Sequence, residues 1–309
     1  MNPLLAALVS AGIITQPEAE RINRSLDPDA ARLWAEQQIA IAMQGGLSAQ
    51  QTRLVEMVRR SNGALSPAAL DAFWAAEDAR LWAAVRSTFE DVAQENAIAM
   101  AVRLGADDAM WRMVNESMLA WVGDYYTNAD AGTFGSIPNL NLTSRTQFAQ
   151  VFEQWNRGEL EVGTTEQGLP QLVQALEPVF GPVRSEVIAS TETTRVFTEA
   201  TLAAGNANPT ITRYRWRAVA DERVCPICGP LHNTTVAKGA GFRWGNGAGY
   251  PPAHPNCRCQ ILEETDQTAA LPDPPEERWQ FSQDRFDQAQ RNRNAANRAP
   301  NALRTLTGG

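Results

Sequence analysis

Lysine is almost missing. A single one, Lys238, stands among 27 basic residues in a chain of 309. The positive charge is therefore nearly all guanidinium, which suits forked contacts to phosphate or carboxylate but equally reflects a biased genomic composition. Histidine occurs only at 232 and 254, and the four cysteines all fall between 225 and 259. Long apolar runs are absent as well. No stretch reaches the ~18 apolar residues that a membrane-spanning helix requires. The start, MNPLLAALVSAGIITQPEAE, has neither a basic n-region nor a small-residue cleavage site, so no membrane segment and no Sec export are expected. No internal repeat is present.

What remains is the composition of a folded protein. Apolar residues make up 44% and charged residues 20%, and nine tryptophans are spread from Trp34 to Trp279, which excludes wholesale disorder. The length suits two domains of the usual ~100 to 200 residues. Charge is distributed unevenly. Residues 1–209 carry 14 arginines against 25 acids, a net of -11, whereas 210–309 carry 13 basic residues against 10 acids, a net of +3. A basic module thus follows an acidic one, so any phosphate-facing surface is expected at the C-terminal end.

Residues 1–123 read as successive helices. Asp27 is placed as an N-cap with Pro28 at the first helical position, and Ser48 with Gln51 forms a capping-box pattern for a further helix ending at Gly63. From Ser66-Pro67 the apolar positions 70, 73, 74, 81, 82, 85, 89 and 92 trace one stripe of the longest helix, ending before Gly105. Asp107 and Asp108 open the next. Residues 124–144 have the Asn, Gly, Pro and Ser content of a long partner-binding loop, with Thr143 or Ser144 capping the helix that follows. Gly181-Pro182 starts another helix, with Val183, Val187, Ile188 and Val196 along one side.

The pattern then changes period. ITRYRWRAV (211–219) alternates, sending Tyr214 and Trp216 to one face and Arg213, Arg215 and Arg217 to the other. Three arginines on one face require an acidic partner, a phosphate or open solvent. After Thr265 the Pro, Asn, Gln and Arg content reads as a linker, a short helix over 276–290 and an Arg-rich tail (Arg285, Arg291, Arg293, Arg298 and Arg304).

Within this basic module lie Cys225-x-x-Cys228 and, separated from Cys228 by 25 residues, His254-x-x-Cys257-x-Cys259. Two ligands on one knuckle and two on a distant turn are what a tetrahedral zinc site needs, because one short segment cannot surround the ion. Five candidates compete for four places. Either Cys225, Cys228, His254 and Cys257 bind, or Cys259 replaces one of the last pair. Such a closed set is structural, as it leaves no position for water. Burial without metal, or a disulfide such as Cys225 to Cys257, is the alternative. A deaminase is disfavoured because neither histidine has the glutamate of H-x-E. His232, Asn233 and His254 have the residue types of an HNH-type nuclease, but a metal-bound His254 leaves that set incomplete.

Three ordered segments, VRSEVIASTETTRVFTEA, DERVCPICGPLHN and YPPAHPNCRC, resemble the signature of the Mu F-like minor head (head morphogenesis) family of tailed bacteriophages, over about 170–262. The matching positions are Ile188, Ala189, Thr191 and Glu192, then Asp221, Arg223, Cys225 and Cys228, then Pro251, Pro252, His254, Pro255, Cys257, Arg258 and Cys259. Leu231-His232-Asn233 departs from the Leu-x-Gly common in the family. The resemblance implies a low-copy virion component that joins the portal vertex inside the procapsid. It would meet the portal protein and the major capsid or scaffold protein, and contact double-stranded DNA. Its location would be the virion, after assembly in the host cytoplasm. On the helix, Thr191, Glu192 and Arg195 share a face with Arg184 and Ile188, with Glu192 able to pair with Arg195 and the group bracing the zinc turn.

The expectation is an α+β protein: a helical region over 1–165, a Mu F-like module with a zinc knuckle over 166–264, and an Arg-rich tail over 265–309. Arg213, Arg215, Arg217 and Arg258 are the candidate DNA contacts. No enzymatic activity is expected. The alternative is a metal-dependent nuclease or effector enzyme delivered with phage DNA.

Overall fold

The computed structural model describes residues 15–265 except 26, 106, 131–134, 161–164, 220–224 and 246, and before them only 6, 9, 10 and 12. The expected linker, the 276–290 helix, the Arg-rich tail, Asp221 and Arg223 lie outside the described residues. The fold is mainly helical, with small antiparallel sheets towards the C-terminus. It divides into two compact units, one holding the helices up to Pro209 together with His254–Arg258, the other holding Thr210–Ala253 and residues 259–265.

In the helical unit, α1 (Gln16–Ser25) and α2 (Pro28–Arg60) come first. Asp27 caps α2 as its residue type dictates, its Oδ1 accepting the Asp29 and Ala30 N–H groups at 3.0 and 3.2 Å. Ala35, Ile39, Met43, Leu47, Leu54 and Val58 then recur near helical spacing, and all are fully buried. The helix does not restart at Ser48. It runs through Gly45-Gly46 because Met43 and Leu47 both face the core, so the pull of burial outweighs the local capping pattern. Gly46 also sits at a close helix crossing, where an added Cβ would stand 2.5 Å from Leu81 Cδ1. Asn62 and Gly63, at φ 51° and 82°, end the helix in left-handed turns.

Helix α3 (Pro67–Arg103) is the long one expected, and Ser66 Oγ accepts the Ala69 N–H at 3.2 Å. Its apolar stripe from Phe73 to Met100 is buried, together with the polar Glu95, Asn96 and Glu77, the last fully buried and held by Arg53 and Arg80. Asp107 caps α4 (Asp108–Thr127).

The expected loop over 124–144 shrinks. Helix α4 continues to Thr127, and α5 (Ile137–Asn156) begins behind Ser136 with Pro138 in its first turn. Thr143 and Ser144 are therefore not caps. Each lies inside α5 and bonds the carbonyl four residues back, Asn139 at 3.0 Å and Leu140 at 3.0 Å. This back-bonding lets a polar, turn-like composition remain helical.

Helices α6 (Thr165–Ala175), α7 (Glu177–Phe180) and α8 (Pro182–Ala207) complete the unit. Along α8, Ile188, Ala189, Val196, Ala200 and Ala204 face the core, whereas Val183, expected on that side, is 65% exposed. Its position in the first turn places it beyond the reach of the core.

In the second unit, β1 (Arg213–Arg217) lies between β2 (Thr235–Ala237) and β5 (Gln260–Glu264), antiparallel to both. β3 (Phe242–Trp244) and β4 (Gly247–Gly249) pair antiparallel as a separate two-stranded sheet. Tyr214 and Trp216 are fully buried, Trp216 packing 5.2 Å from Phe242 and 5.8 Å from Trp244 between ring centres. β1 is thus the central strand and not a solvated edge. The acidic partner that its arginine face required is Glu264. Arg215, buried, donates to Glu264 through Nε at 2.5 Å and also contacts it through Nη2, and Arg213 lies 3.9 Å away.

Candidate metal centre

The five sequence-chosen donors come together. The donor atoms of Cys225, Cys228 and His254 lie within 4.8 Å of one another, and so do those of Cys228, Cys257 and Cys259. Cys228 belongs to both groups. The geometry of soft thiolates suits a tetrahedral metal, since metal–sulfur bonds of about 2.3 Å set sulfurs about 3.8 Å apart. All four cysteines are free thiols, so the disulfide alternative is not the arrangement seen.

Local turns aim the ligands. Cys225 starts a tight turn in which its carbonyl accepts the Cys228 and Gly229 N–H groups at 3.1 and 2.9 Å. The Cys228 N–H also lies 3.3 Å from Cys225 Sγ, a donor that favours the thiolate a metal needs. On the second segment Asn256 takes a left-handed φ of 61°, and the Cys257 N–H closes back on the His254 carbonyl at 3.2 Å. His254 Nδ1 lies 2.8 Å from the Pro255 carbonyl. A carbonyl only accepts, so Nδ1 carries the proton and the Nε2 lone pair is the one offered to metal, the usual second-partner arrangement of ligating histidines.

The polar face of α8 meets this second segment. Thr191 Oγ1 accepts the Asn256 N–H at 2.7 Å, and Thr194 Oγ1 lies 2.5 Å from the Cys257 carbonyl. Beside them Glu192, 1% exposed, accepts from Tyr126 at 3.1 Å. Arg195 Nε stands 3.3 Å from Glu192 without the geometry of a hydrogen bond. Burial pushes the Glu192 carboxyl above its ordinary range despite Arg195. Arg184, the next member of that helix face, bonds Ser144 and the carbonyls of Leu140 and Val179, and burial lowers it to about 10.

Residues 150–262 match the family of phage Mu protein F like proteins. This is the family the ordered motifs resemble, that of phage head morphogenesis proteins, and the matched part is a little over a third of the chain. No curated protein and no solved structure is significantly similar to the chain. The Mu F-like segment takes in α8, β1, the knuckle and all five candidate ligands. The nuclease alternative gains no support from the geometry, where His232 Nδ1 accepts the Ala218 N–H at 3.2 Å.

Two residues at this centre escape sequence reasoning. Thr194, three positions beyond Thr191, shares its helix face, and that spacing was the available signal. Arg32 lies 226 residues before the carbonyl it binds, and nothing local marks it. Of the arginines proposed for DNA, Arg215 is committed to Glu264, Arg213 and Arg217 are exposed, and the Arg258 main chain is held by Arg32.

Proposed function

We propose that the chain is a structural head morphogenesis protein of a tailed phage, which docks on the portal vertex inside the procapsid and becomes part of the virion. The observation that carries this reading is the Mu F-like match over a segment whose cysteines and histidine cluster closely enough for metal. The family is one of structural rather than enzymatic proteins. The cofactor is a structural zinc ion held by Cys225, Cys228, His254 and Cys257, with Cys259 the alternate fourth ligand. Thiolate and imidazole are the donors zinc prefers, and a filled coordination shell braces the fold. Among the described residues no helix is long and apolar enough to cross a membrane.

The portal protein is the first partner to test, before the major capsid or scaffold protein. Tagged chain is expected to retain the portal protein encoded in the same genome through a salt wash. Failure to retain it, with both proteins folded, overturns the portal assignment. Contact with double-stranded DNA falls to Arg213, Arg217 and Arg258. A gel shift is expected to show salt-sensitive binding that weakens when Arg213 and Arg217 become alanine, and a salt-independent or absent shift removes DNA from the account.

A further inference from the structure

Side chains of α2 and α8 grip the main chain of the pentapeptide His254–Arg258, and the direction of every bond in that grip is fixed. Arg32 can only donate and the Cys257 carbonyl can only accept. Thr194, placed between them, must therefore accept from Arg32 Nη2 at 2.7 Å and give its single hydroxyl proton to Cys257 at 2.5 Å. Arg32 Nη1 reaches the next carbonyl, that of Arg258, at 3.0 Å, and its Nε is held by Glu36 at 3.0 Å. Thr191 works in the opposite sense, accepting the Asn256 N–H and passing its own proton to Val187 at 2.6 Å. Thr194 is fully buried, Thr191 is 3% exposed and Arg32 8%.

Three consecutive residues, Asn256, Cys257 and Arg258, thus have their peptide groups tied to rigid helices. Because the peptide is planar, fixing the Cys257 and Arg258 carbonyls also fixes the following N–H groups on the opposite side and the direction in which the Cys257 side chain leaves the main chain. The bonds run to main chain, not to sulfur, so they specify where the turn sits without consuming a ligand atom.

We propose that Arg32 and Thr194 are positioning residues of the metal centre, holding the His254–Cys257 turn in its ligating form before the ion arrives. The inference rests on the metal reading above. A preorganised turn spares the ion the cost of ordering its own ligand, so loss of the brace weakens affinity rather than only stability.

The test uses full-length protein and zinc itself, with affinity read by competition against a chromophoric chelator and unfolding of the metal-free form followed separately. Thr194→Val keeps the volume and removes the hydroxyl. It is expected to weaken zinc binding by about 10-fold to 100-fold, the range for lost outer-shell partners, while Thr194→Ser restores it. If Thr194→Val does not accumulate folded, Arg32→Lys makes the same comparison, keeping the charge and losing the forked reach to Thr194 and Arg258. A brace that serves packing alone lowers metal-free stability and leaves zinc affinity unchanged, and that result overturns the inference while the metal reading stands. Wild-type protein that takes up no zinc overturns the metal reading instead.

Discussion

Replacing Arg215 with alanine removes one half of a pair whose side chains are 8% and 5% exposed. The carboxylate of Glu264 is then left in the interior of the sheet. Breaking a buried pair in this way costs about 3 to 5 kcal/mol, most of it the penalty of a stranded charge. Arg213 stands 3.9 Å from Glu264 and is itself half exposed, so it offsets part of the loss and places the expectation near the lower end, about 3 kcal/mol. Such a cost is read where it falls, in hydrogen exchange of the 211–219 segment. At ~1.4 kcal/mol per tenfold, exchange through opening of this unit speeds up by about 100-fold. Arg217→Ala, on the same strand but exposed, is expected to change the rate by less than about threefold, as surface substitutions do. Salt separates the pair from surface ion pairs. The Arg215 contribution persists in high salt, whereas that of Arg145 with Asp71, both half exposed or more, is screened away. Equal exchange in Arg215→Ala and Arg217→Ala refutes the reasoning, because it means that Glu264 finds water once its partner is gone.

Two buried carboxyls should give opposite pH dependence. Burial raises Glu192, so its unfolded form loses the proton first. The stability it contributes is full below about 4.5 and is lost as pH rises through the folded value, and Glu192→Gln abolishes that slope in urea midpoints. Burial also acts on Glu77, but Arg53 and Arg80 outweigh it and hold the carboxyl low, so its contribution is present above about 4.5 and lost as pH falls, a trend removed by Glu77→Gln. At Gly135 an added Cβ would lie 2.0 Å from Glu192 Oε1, a carboxylate itself held by Tyr126, so Gly135→Ala is expected to destabilise by about 1 to 3 kcal/mol in the same assay.

Helix starts were legible in the sequence where one residue type settles the matter. Asp27 with Pro28, Ser66 with Pro67, Asp107, and Gly181 with Pro182 all stand at the borders of helices. Ser48 and the 124–144 segment misled because capping and loop propensities are local, while burial of Met43 and Leu47 and back-bonding by Thr143 and Ser144 are not visible in composition. The clustering of the candidate metal donors was legible because their residue types are scarce and their spacing reflects the turn each segment makes. Their support was not. Glu264 faces Arg215 only once β5 pairs with β1, and Arg32 meets Thr194 only when α2 and α8 pack, so neither contact leaves a mark at short sequence separation.

Metal content of the purified chain, measured together with its free thiols, tests the central claim most directly. The account requires close to one zinc per chain and four reduced cysteines that resist alkylation until a chelator removes the ion. Protein that is folded, carries well under one zinc per chain, and either alkylates freely or contains disulfides would contradict it.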